Sequence, residues 1–222
     1  MIDKKFATHD RNPFFDLASP YISKESKVLD IGPGEGNFSG FHKRNDFYLF
    51  EGNPMSAELL KKEHPNTFIG MLPKLPFESN FFDVIHCSHV VEHLQPQEFF
   101  DTLVEMDRCL KKNGVLVISA PMFWEGFYND LSHVKAYNPN IYVKYLCPND
   151  VKALTRLTIS TDYQVKNLQY RYRESTPFHE YHNSKNSLIV KVFLFGLKVL
   201  RKLGLRKYDR TGYTIILEKN AL

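Results

Sequence analysis

The stretch Val28-Leu29-Asp30-Ile31-Gly32-Pro33-Gly34-Glu35-Gly36 decides the fold of this chain. A short apolar run ends here in an acidic residue and closely spaced glycines, which predicts a strand that enters a loop. Glycine lets the backbone turn tightly and approach a ligand without a Cβ in the way. In an open parallel sheet, ligands bind beyond the carboxyl ends of the strands, so this loop is the first predicted ligand site.

Strands and helices alternate beyond this stretch. Further strands are predicted over Phe47–Glu51, Thr67–Gly70, Phe81–Ser88, Val115–Ala120, Tyr163–Tyr172 and Gly212–Lys219. Helices are predicted over Met55–Glu63, capped by Asn53, over Pro96–Leu110, ended by Lys111-Lys112-Asn113-Gly114, and over Asn149–Leu157. The alternation predicts right-handed βαβ units and a parallel sheet, with irregular segments at 121–148 and 174–186.

Composition and charge exclude several classes of protein. The 222 residues are enough for one substantial α/β domain, and a net charge of +4 is too small to indicate nucleic-acid binding by itself. Cys87, Cys109 and Cys147 show neither paired nor metal-type spacing. The first residues lack the apolar core of a signal peptide. A reduced, cytoplasmic protein is therefore expected.

The glycine loop can be interpreted as a dinucleotide site, as a site for another nucleotide-type ligand, or as a generic strand–helix turn. A dinucleotide fingerprint needs glycine or alanine at the last position of G-x-G-x-x-G, where this chain has Asn37. The spacing is instead G-x-G-x-G. On the loop alone, a generic strand–helix turn remains an alternative.

Ordered motifs elsewhere in the chain give the loop a more specific meaning. It resembles the first motif of the class I, Rossmann-like S-adenosylmethionine-dependent methyltransferases. Three later stretches resemble further motifs of that family, in the same order: Leu75-Pro76-Phe77 before Phe82-Asp83-Val84, Ser88-His89-Val90-Val91-Glu92-His93-Leu94, and Leu110-Lys111-Lys112-Asn113-Gly114. The resemblance runs from about Lys27 to Pro121 and is best to the group that includes small-molecule, sugar and lipid-type enzymes.

The resemblance implies a fold and a domain organisation. The fold is a Rossmann-like three-layer α/β sandwich, with a mostly parallel seven-stranded sheet whose last strand is antiparallel. The chain is then one domain over 1–222. Residues 1–26 form a helical cover, 27–121 the cofactor-binding half, and 122–222 the acceptor-side half.

The resemblance also implies S-adenosylmethionine as the cofactor and assigns residues to it. The three glycines line its methionine part, Asp30 lies near its amino group, and Glu51 binds the ribose hydroxyls. The full predicted set is Asp30, Gly32, Gly34, Gly36, Glu51, Gly52, Asn53, Met71, Leu72, Ser88 and His89. His9 and Arg11 are expected to fold over the cofactor from the N-terminus.

One position departs from the family. Many members carry aspartate where this chain has Met71, and that aspartate selects the adenine amino group. A thioether packs on the ring but accepts that hydrogen bond poorly. Adenine recognition is therefore expected to depend on backbone groups and apolar contacts.

The predicted catalytic residues follow the fourth and fifth strands. The segment Asn129–Tyr137 resembles an Asp-x-x-His-x-x-x-Tyr motif of these enzymes, with His133 as general base and Asp130 orienting it; a purely structural His–Asp pair is the alternative. His89 is the second candidate, and a packing or capping role is its alternative. Phe123, Trp124 and Phe127 are expected on the acceptor side. No metal site is predicted.

A basic, apolar insertion near 187–208 is not generic to the fold. Lys191, Lys198 and Lys202 fall at i, i+7 and i+11, which makes one stripe on a helix. Too many cations interrupt the apolar run for a transmembrane span. An amphipathic helix on an anionic membrane surface and a helix packed on the domain or a dimer partner both remain open.

The predicted function is methyl transfer from S-adenosylmethionine to a hydroxyl of a small molecule, lipid-linked intermediate or surface-glycan sugar. A histidine base suits a hydroxyl acceptor. The alternatives are an RNA or protein methyltransferase and a non-catalytic subunit that activates a partner. The expected location is cytoplasmic, with peripheral membrane contact if 187–208 binds lipid.

Overall fold

The computed structural model describes residues 2–148, 156–175, 195–196, 199, 202, 204 and 206–220. Its strands are β1 Val28–Ile31, β2 Tyr48–Glu51, β3 Thr67–Ile69, β4 Phe82–Ser88, β5 Leu110–Pro121, β6 Tyr163–Glu174 and β7 Tyr208–Lys219. Its α-helices are α1 Asn12–Phe15, α2 Asn37–Phe41, α3 Pro54–Leu60, α4 Pro96–Cys109 and α5 Asn140–Leu146. Short 3-10 turns lie at Lys4–Phe6, Asp16–Tyr21, Val91–His93 and Phe127–Asn129.

The seven strands form one sheet in the order β3-β2-β1-β4-β5-β7-β6. Neighbours from β3 to β5 are parallel, whereas β7 runs antiparallel to both β5 and β6. This confirms the predicted sheet. The strand order reverses beside β1, where crossovers leave towards β2 on one side and β4 on the other. The loops after β1 and β4 therefore meet where such sheets bind ligands.

Alternation along β1 places its side chains in two separate cores. Leu29 and Ile31 pack with α4 on one face of the sheet, and Val28 packs with the N-terminal segment and α2 on the other. Every residue of the strand is buried, as expected for a parallel strand covered on both faces. Phe15 and Ala18 of the N-terminal segment belong to the second core.

The predicted start of the helix after β2 is confirmed. The Asn53 carboxamide oxygen accepts from the backbone N–H of Met55 at 2.9 Å, and Pro54 occupies the first helical position. This cap turns the chain immediately after Glu51. The carboxylate at the end of β2 is thereby held at the ligand-binding edge of the sheet.

The predicted helix Pro96–Leu110 is confirmed to within one residue at its end, but the glycine-stopped turn predicted after it is wrong. Helix α4 ends at Cys109, with Arg108 in its last turn, and the chain passes directly into β5 without a glycine stop at 111–114. Leu110 pairs with Phe82 and Val115 with Val84, so the intervening residues form a bulge in β5. The left-handed residue is Asn113, at φ 61°, and not Gly114. Because β5 begins directly after α4, no turn separates the two elements. The sequence therefore offers no local signal for the start of the strand.

The segment 121–148 is not wholly irregular, because it contains α5. The prolines and asparagines before α5 are typical of a loop, which explains why the sequence did not predict this helix. The predicted helix at 149–157 lies almost entirely outside the described residues, as does most of the insertion at 187–208. Of that insertion, Phe195, Gly196, Val199 and Lys202 are helical. No helix among the residues described is long and apolar enough to cross a bilayer.

Candidate functional site

The loop after β1 is held in a conformation that requires glycine. Gly32, Gly34 and Gly36 all have left-handed φ values, 65°, 60° and 77°. A Cβ added to Gly32 would collide with the Val90 side chain, so the loops after β1 and β4 pack directly on each other. A Cβ on Gly34 would meet no atom within 4 Å. The loop therefore faces open space at Gly34, as a backbone cradle for a ligand requires.

Asp30 is more deeply buried than its predicted role suggests. Its side chain lies between the sheet and the N-terminal segment, where Oδ1 accepts from His86 Nδ1 at 2.7 Å. The His86 ring stacks on Phe38 at 3.7 Å between centroids. Among the described residues, Asp30 Oδ2 is buried without a hydrogen-bond partner. One carboxylate oxygen thus positions His86, and the other is the acceptor that a ligand ammonium would satisfy.

His86 was missed by sequence reasoning. It lies inside the nearly continuous apolar run of β4, where a lone histidine reads as one more buried residue. The register of the sheet pairs Asp30 with His86 across β1 and β4. Only that register shows that the Asp30 carboxylate has a partner.

The end of β2 groups the residues predicted to bind the nucleoside. Glu51 Oε1 accepts from the backbone N–H of Asn53 at 2.8 Å, which orients the carboxylate. The Met71 sulfur would lie 3.1 Å from a Cβ on Gly52, so glycine there lets the thioether lie against the backbone. Met71 is 74% exposed. The side-chain oxygen of Asn53 is occupied in capping α3. The predicted contact of Asn53 with adenine would therefore have to use its other atoms.

Replacing Met71 by aspartate is expected to tighten S-adenosylmethionine binding. A carboxylate at this exposed position supplies the acceptor for the adenine amino group that a thioether lacks. One such hydrogen bond corresponds to a gain of roughly 3- to 10-fold in affinity. A calorimetric titration measures it, with Met71→Leu as the control that keeps size and apolarity. No gain for Met71→Asp over Met71→Leu would show that adenine does not lie beside this residue.

His89 lies immediately after β4 with both ring nitrogens engaged. Its Nδ1–H donates to Glu92 Oε1 at 3.1 Å, and its Nε2 accepts from the Arg171 guanidinium at 3.2 Å. Burial lowers the pKa of His89, and Glu92 opposes this shift. Because the Nε2 lone pair is occupied by Arg171, the contacts favour a positioning role over that of a general base.

Arg171, on β6, is the second residue that sequence reasoning missed. Its guanidinium stacks over the Phe14 ring at 4.8 Å and contacts His89. Burial, followed by the positive charge of Arg11, lowers the pKa of Arg171. The N-terminal segment thus reaches the loop after β4. His9 and Arg11 also line a cleft of about 630 Å³ that extends to Gly36.

His133 is oriented by a backbone carbonyl. Its Nδ1–H donates to the Phe127 carbonyl at 2.6 Å, and its ring packs against the Phe127 ring at 4.7 Å. Asp130 Oδ1 instead accepts from the backbone N–H and hydroxyl of Ser132, at 2.9 and 2.6 Å. Asp130 Oδ2 is 3.9 Å from His133 Nε2, beyond hydrogen-bond distance. The interpretation that Asp130 orients His133 is therefore corrected, because Phe127 does so.

Backbone hydrogen bonds join the loop after β4 to the segment that carries His133. The Glu92 carbonyl accepts from the N–H groups of Val134 and Lys135, at 2.8 and 3.2 Å. The rings of His93 and His133 then lie 5.0 Å apart. Two stretches that were predicted separately as catalytic candidates thus lie side by side.

A polar cleft of about 530 Å³ lies beyond β5, β6 and β7. Phe123 and Trp124, which were predicted on the acceptor side, line it together with Arg173 and Arg210. The Arg173 guanidinium lies over the Trp124 ring at 4.9 Å. Phe127 is fully buried instead, where it supports His133.

Comparison with known proteins places this chain in a family. A family model described as a methyltransferase domain matches residues 5–151. An uncharacterized methyltransferase of Schizosaccharomyces pombe is 30% identical over 138 residues, 50% of this chain and 48% of that protein. An uncharacterized protein of Methanocaldococcus jannaschii is 26% identical over 200 residues, 88% of this chain and 78% of that protein. The chain spans only 40% and 48% of the length of two fungal relatives that it matches.

Solved structures share the fold. The crystal structure of a SAM-dependent methyltransferase from Archaeoglobus fulgidus has a TM-score of 0.62 to this chain, at 20% identity and with 97% of both chains covered. At this identity the likeness concerns the arrangement of strands and helices.

Proposed function

The chain belongs to the methyltransferase-domain family, whose cofactor is S-adenosylmethionine, and from this premise we propose that it methylates a hydroxyl group of a small molecule, lipid-linked intermediate or glycan sugar. The observation that supports a hydroxyl acceptor is the hydrogen bond that orients the His133 ring. Its Nδ1–H is committed to the Phe127 carbonyl, so Nε2 is the ring nitrogen that can accept a proton.

The reaction requires little covalent chemistry from the protein. S-adenosylmethionine supplies a methyl group on a positively charged sulfur, which is already activated for in-line displacement. The protein aligns the acceptor with that carbon and excludes water. A hydroxyl must also lose its proton as its oxygen bonds to carbon. His133 is the residue assigned to assist that loss.

The cofactor residues fit the proposal. The left-handed glycines and the open space at Gly34 leave room for the methionine part against the loop backbone. The unpartnered Asp30 Oδ2 suits its ammonium. Glu51 ends β2 with Oε1 oriented by Asn53, so its carboxylate suits the ribose hydroxyls.

A titration with S-adenosylmethionine tests the cofactor half of the proposal. We expect wild-type protein to bind, and Glu51→Gln to bind roughly 10- to 100-fold more weakly, because hydrogen bonds to a charged carboxylate are lost. The amide keeps the oxygen that accepts from Asn53. Glu58→Gln, on the exposed face of α3, is the matched control and is expected to bind normally. Absence of binding by the wild type would favour the non-catalytic subunit.

The acceptor half needs a turnover measurement. Release of S-adenosylhomocysteine is followed with a series of hydroxyl compounds and their amino analogues. Turnover with hydroxyl compounds is the expected result. Turnover confined to the amines would contradict the proposed acceptor while leaving the cofactor assignment in place.

A further inference from the structure

Three side chains with metal-ligand chemistry converge at the turn after β4. One carboxylate oxygen of Glu92 and one ring nitrogen each of His93 and His133 all lie within 4.8 Å of one another. Glu92 and His93 belong to the turn after β4, whereas His133 comes from the segment after β5. Atoms this close can share one bound cation after small movements of the side chains.

Backbone carbonyls set both histidines in the same tautomer. His93 Nδ1 lies 3.1 Å from the Ser132 carbonyl, and His133 Nδ1 lies 2.6 Å from the Phe127 carbonyl. A carbonyl only accepts, so each Nδ1 carries the hydrogen and each Nε2 has a free lone pair. Metal-binding histidines are oriented in this way, with the far nitrogen donating to a carbonyl or carboxylate.

Glu92 provides a second, independent observation. Its side chain is only 1% exposed, yet Oε2 has no hydrogen-bond partner among the residues described. Oε1 accepts from His89 Nδ1, which fixes the carboxylate plane. A buried carboxylate oxygen without a donor is costly, and a cation would satisfy it.

The scaffold around these side chains is preorganised. The Glu92 carbonyl accepts from Val134 and Lys135, which holds the two ligand segments together. The fully buried Phe127 ring supports one side of His133. His93 is exposed, so an ion can enter from solvent on its side.

We propose that Glu92, His93 and His133 bind one divalent transition-metal ion. Two imidazoles and one carboxylate suit zinc and its neighbours, and three protein ligands leave a coordination position open. Resting on the proposed function, the ion would take the acceptor hydroxyl at that position and lower its pKa. With the ion bound, His133 Nε2 would ligate it and would assist proton loss through the ion instead of accepting the proton itself. The proton leaves to solvent, the oxygen bonds to the methyl carbon, and the carbon–sulfur bond breaks with its electron pair on sulfur.

Zinc titration of chelator-treated full-length protein tests the site without any turnover. The expected result is one bound ion, with affinity reduced at least about tenfold in His93→Ala and in Glu92→Gln. His93 is exposed, so its truncation leaves the core intact, and glutamine keeps the shape of Glu92. His9→Ala removes an exposed histidine outside the cluster and is expected to bind zinc like the wild type. Thermal unfolding checks that each variant is folded.

Several outcomes would overturn the proposal. These are absence of zinc binding by the wild type, equal binding by His93→Ala and Glu92→Gln, or equal losses in His9→Ala. The S-adenosylmethionine titration separates this failure from that of the proposed function. Cofactor binding without zinc binding would refute the metal site alone, and zinc binding without cofactor binding would refute the methyltransferase proposal alone.

Discussion

Replacing His133 by alanine is expected to lower methyl-transfer turnover by about 10²- to 10⁴-fold, the range lost with a group that assists proton removal. Its Nδ1–H donates to the Phe127 carbonyl, so Nε2 is the nitrogen through which His133 can assist the loss of the proton. The affinity for S-adenosylmethionine is expected to stay unchanged, because His133 lies outside the glycine loop and the end of β2. Single-turnover kinetics and a parallel cofactor titration measure the two quantities.

Two further variants sharpen this experiment. Leu131→Ala truncates a fully exposed side chain on the same segment and is expected to turn over normally. Asp130→Asn tests whether Asp130 orients His133, as the sequence suggested, or whether the Phe127 carbonyl does so, as the structure shows. Because Asp130 Oδ1 bonds to Ser132 and not to His133, its amide is expected to retain most of the turnover. A loss of turnover as large as that of His133→Ala would show that Asp130 does orient His133.

Replacing Gly32 by alanine is expected to lower the free energy of unfolding by roughly 2–5 kcal/mol. About 1–2 kcal/mol comes from forcing a residue with a Cβ into a left-handed conformation, and about 1–3 kcal/mol from overpacking against Val90. Val90 is β-branched and stiff, so it yields poorly to the added methyl group. Urea unfolding followed by circular dichroism measures the loss.

Two other glycines act as matched controls for that clash. Gly34→Ala has the same left-handed φ but open space around its Cβ, so it is expected to lose only the conformational part. Gly40→Ala lies in α2 with no atom within 4 Å and is expected to lose nothing. Equal losses at Gly32 and Gly34 would mean that Val90 does not limit the loop.

Most of the cofactor half could be predicted because its signals are local. A buried strand, its glycine turn and the Asn53 cap each depend on residues close in sequence. The errors came where tertiary contacts replaced local signals. The chain passes from α4 into β5 at Leu110 because pairing with Phe82 takes over from the helix. Helix α5 was missed because its start resembles a loop.

The sequence by itself determined the fold class and the strand end at which the cofactor loop lies, since strand periodicity and left-handed glycine turns are properties of short segments. The contacts made by Asp30 and by the candidate catalytic histidines were decided by tertiary structure alone. His86 beside Asp30, Arg171 on His89 and the Phe127 carbonyl on His133 are contacts between distant segments. Glu92, His93 and His133 form one cluster only because hydrogen bonds from Val134 and Lys135 join two loops. No spacing along the chain encodes such contacts, because the sheet register and the packing of loops on its edge create them.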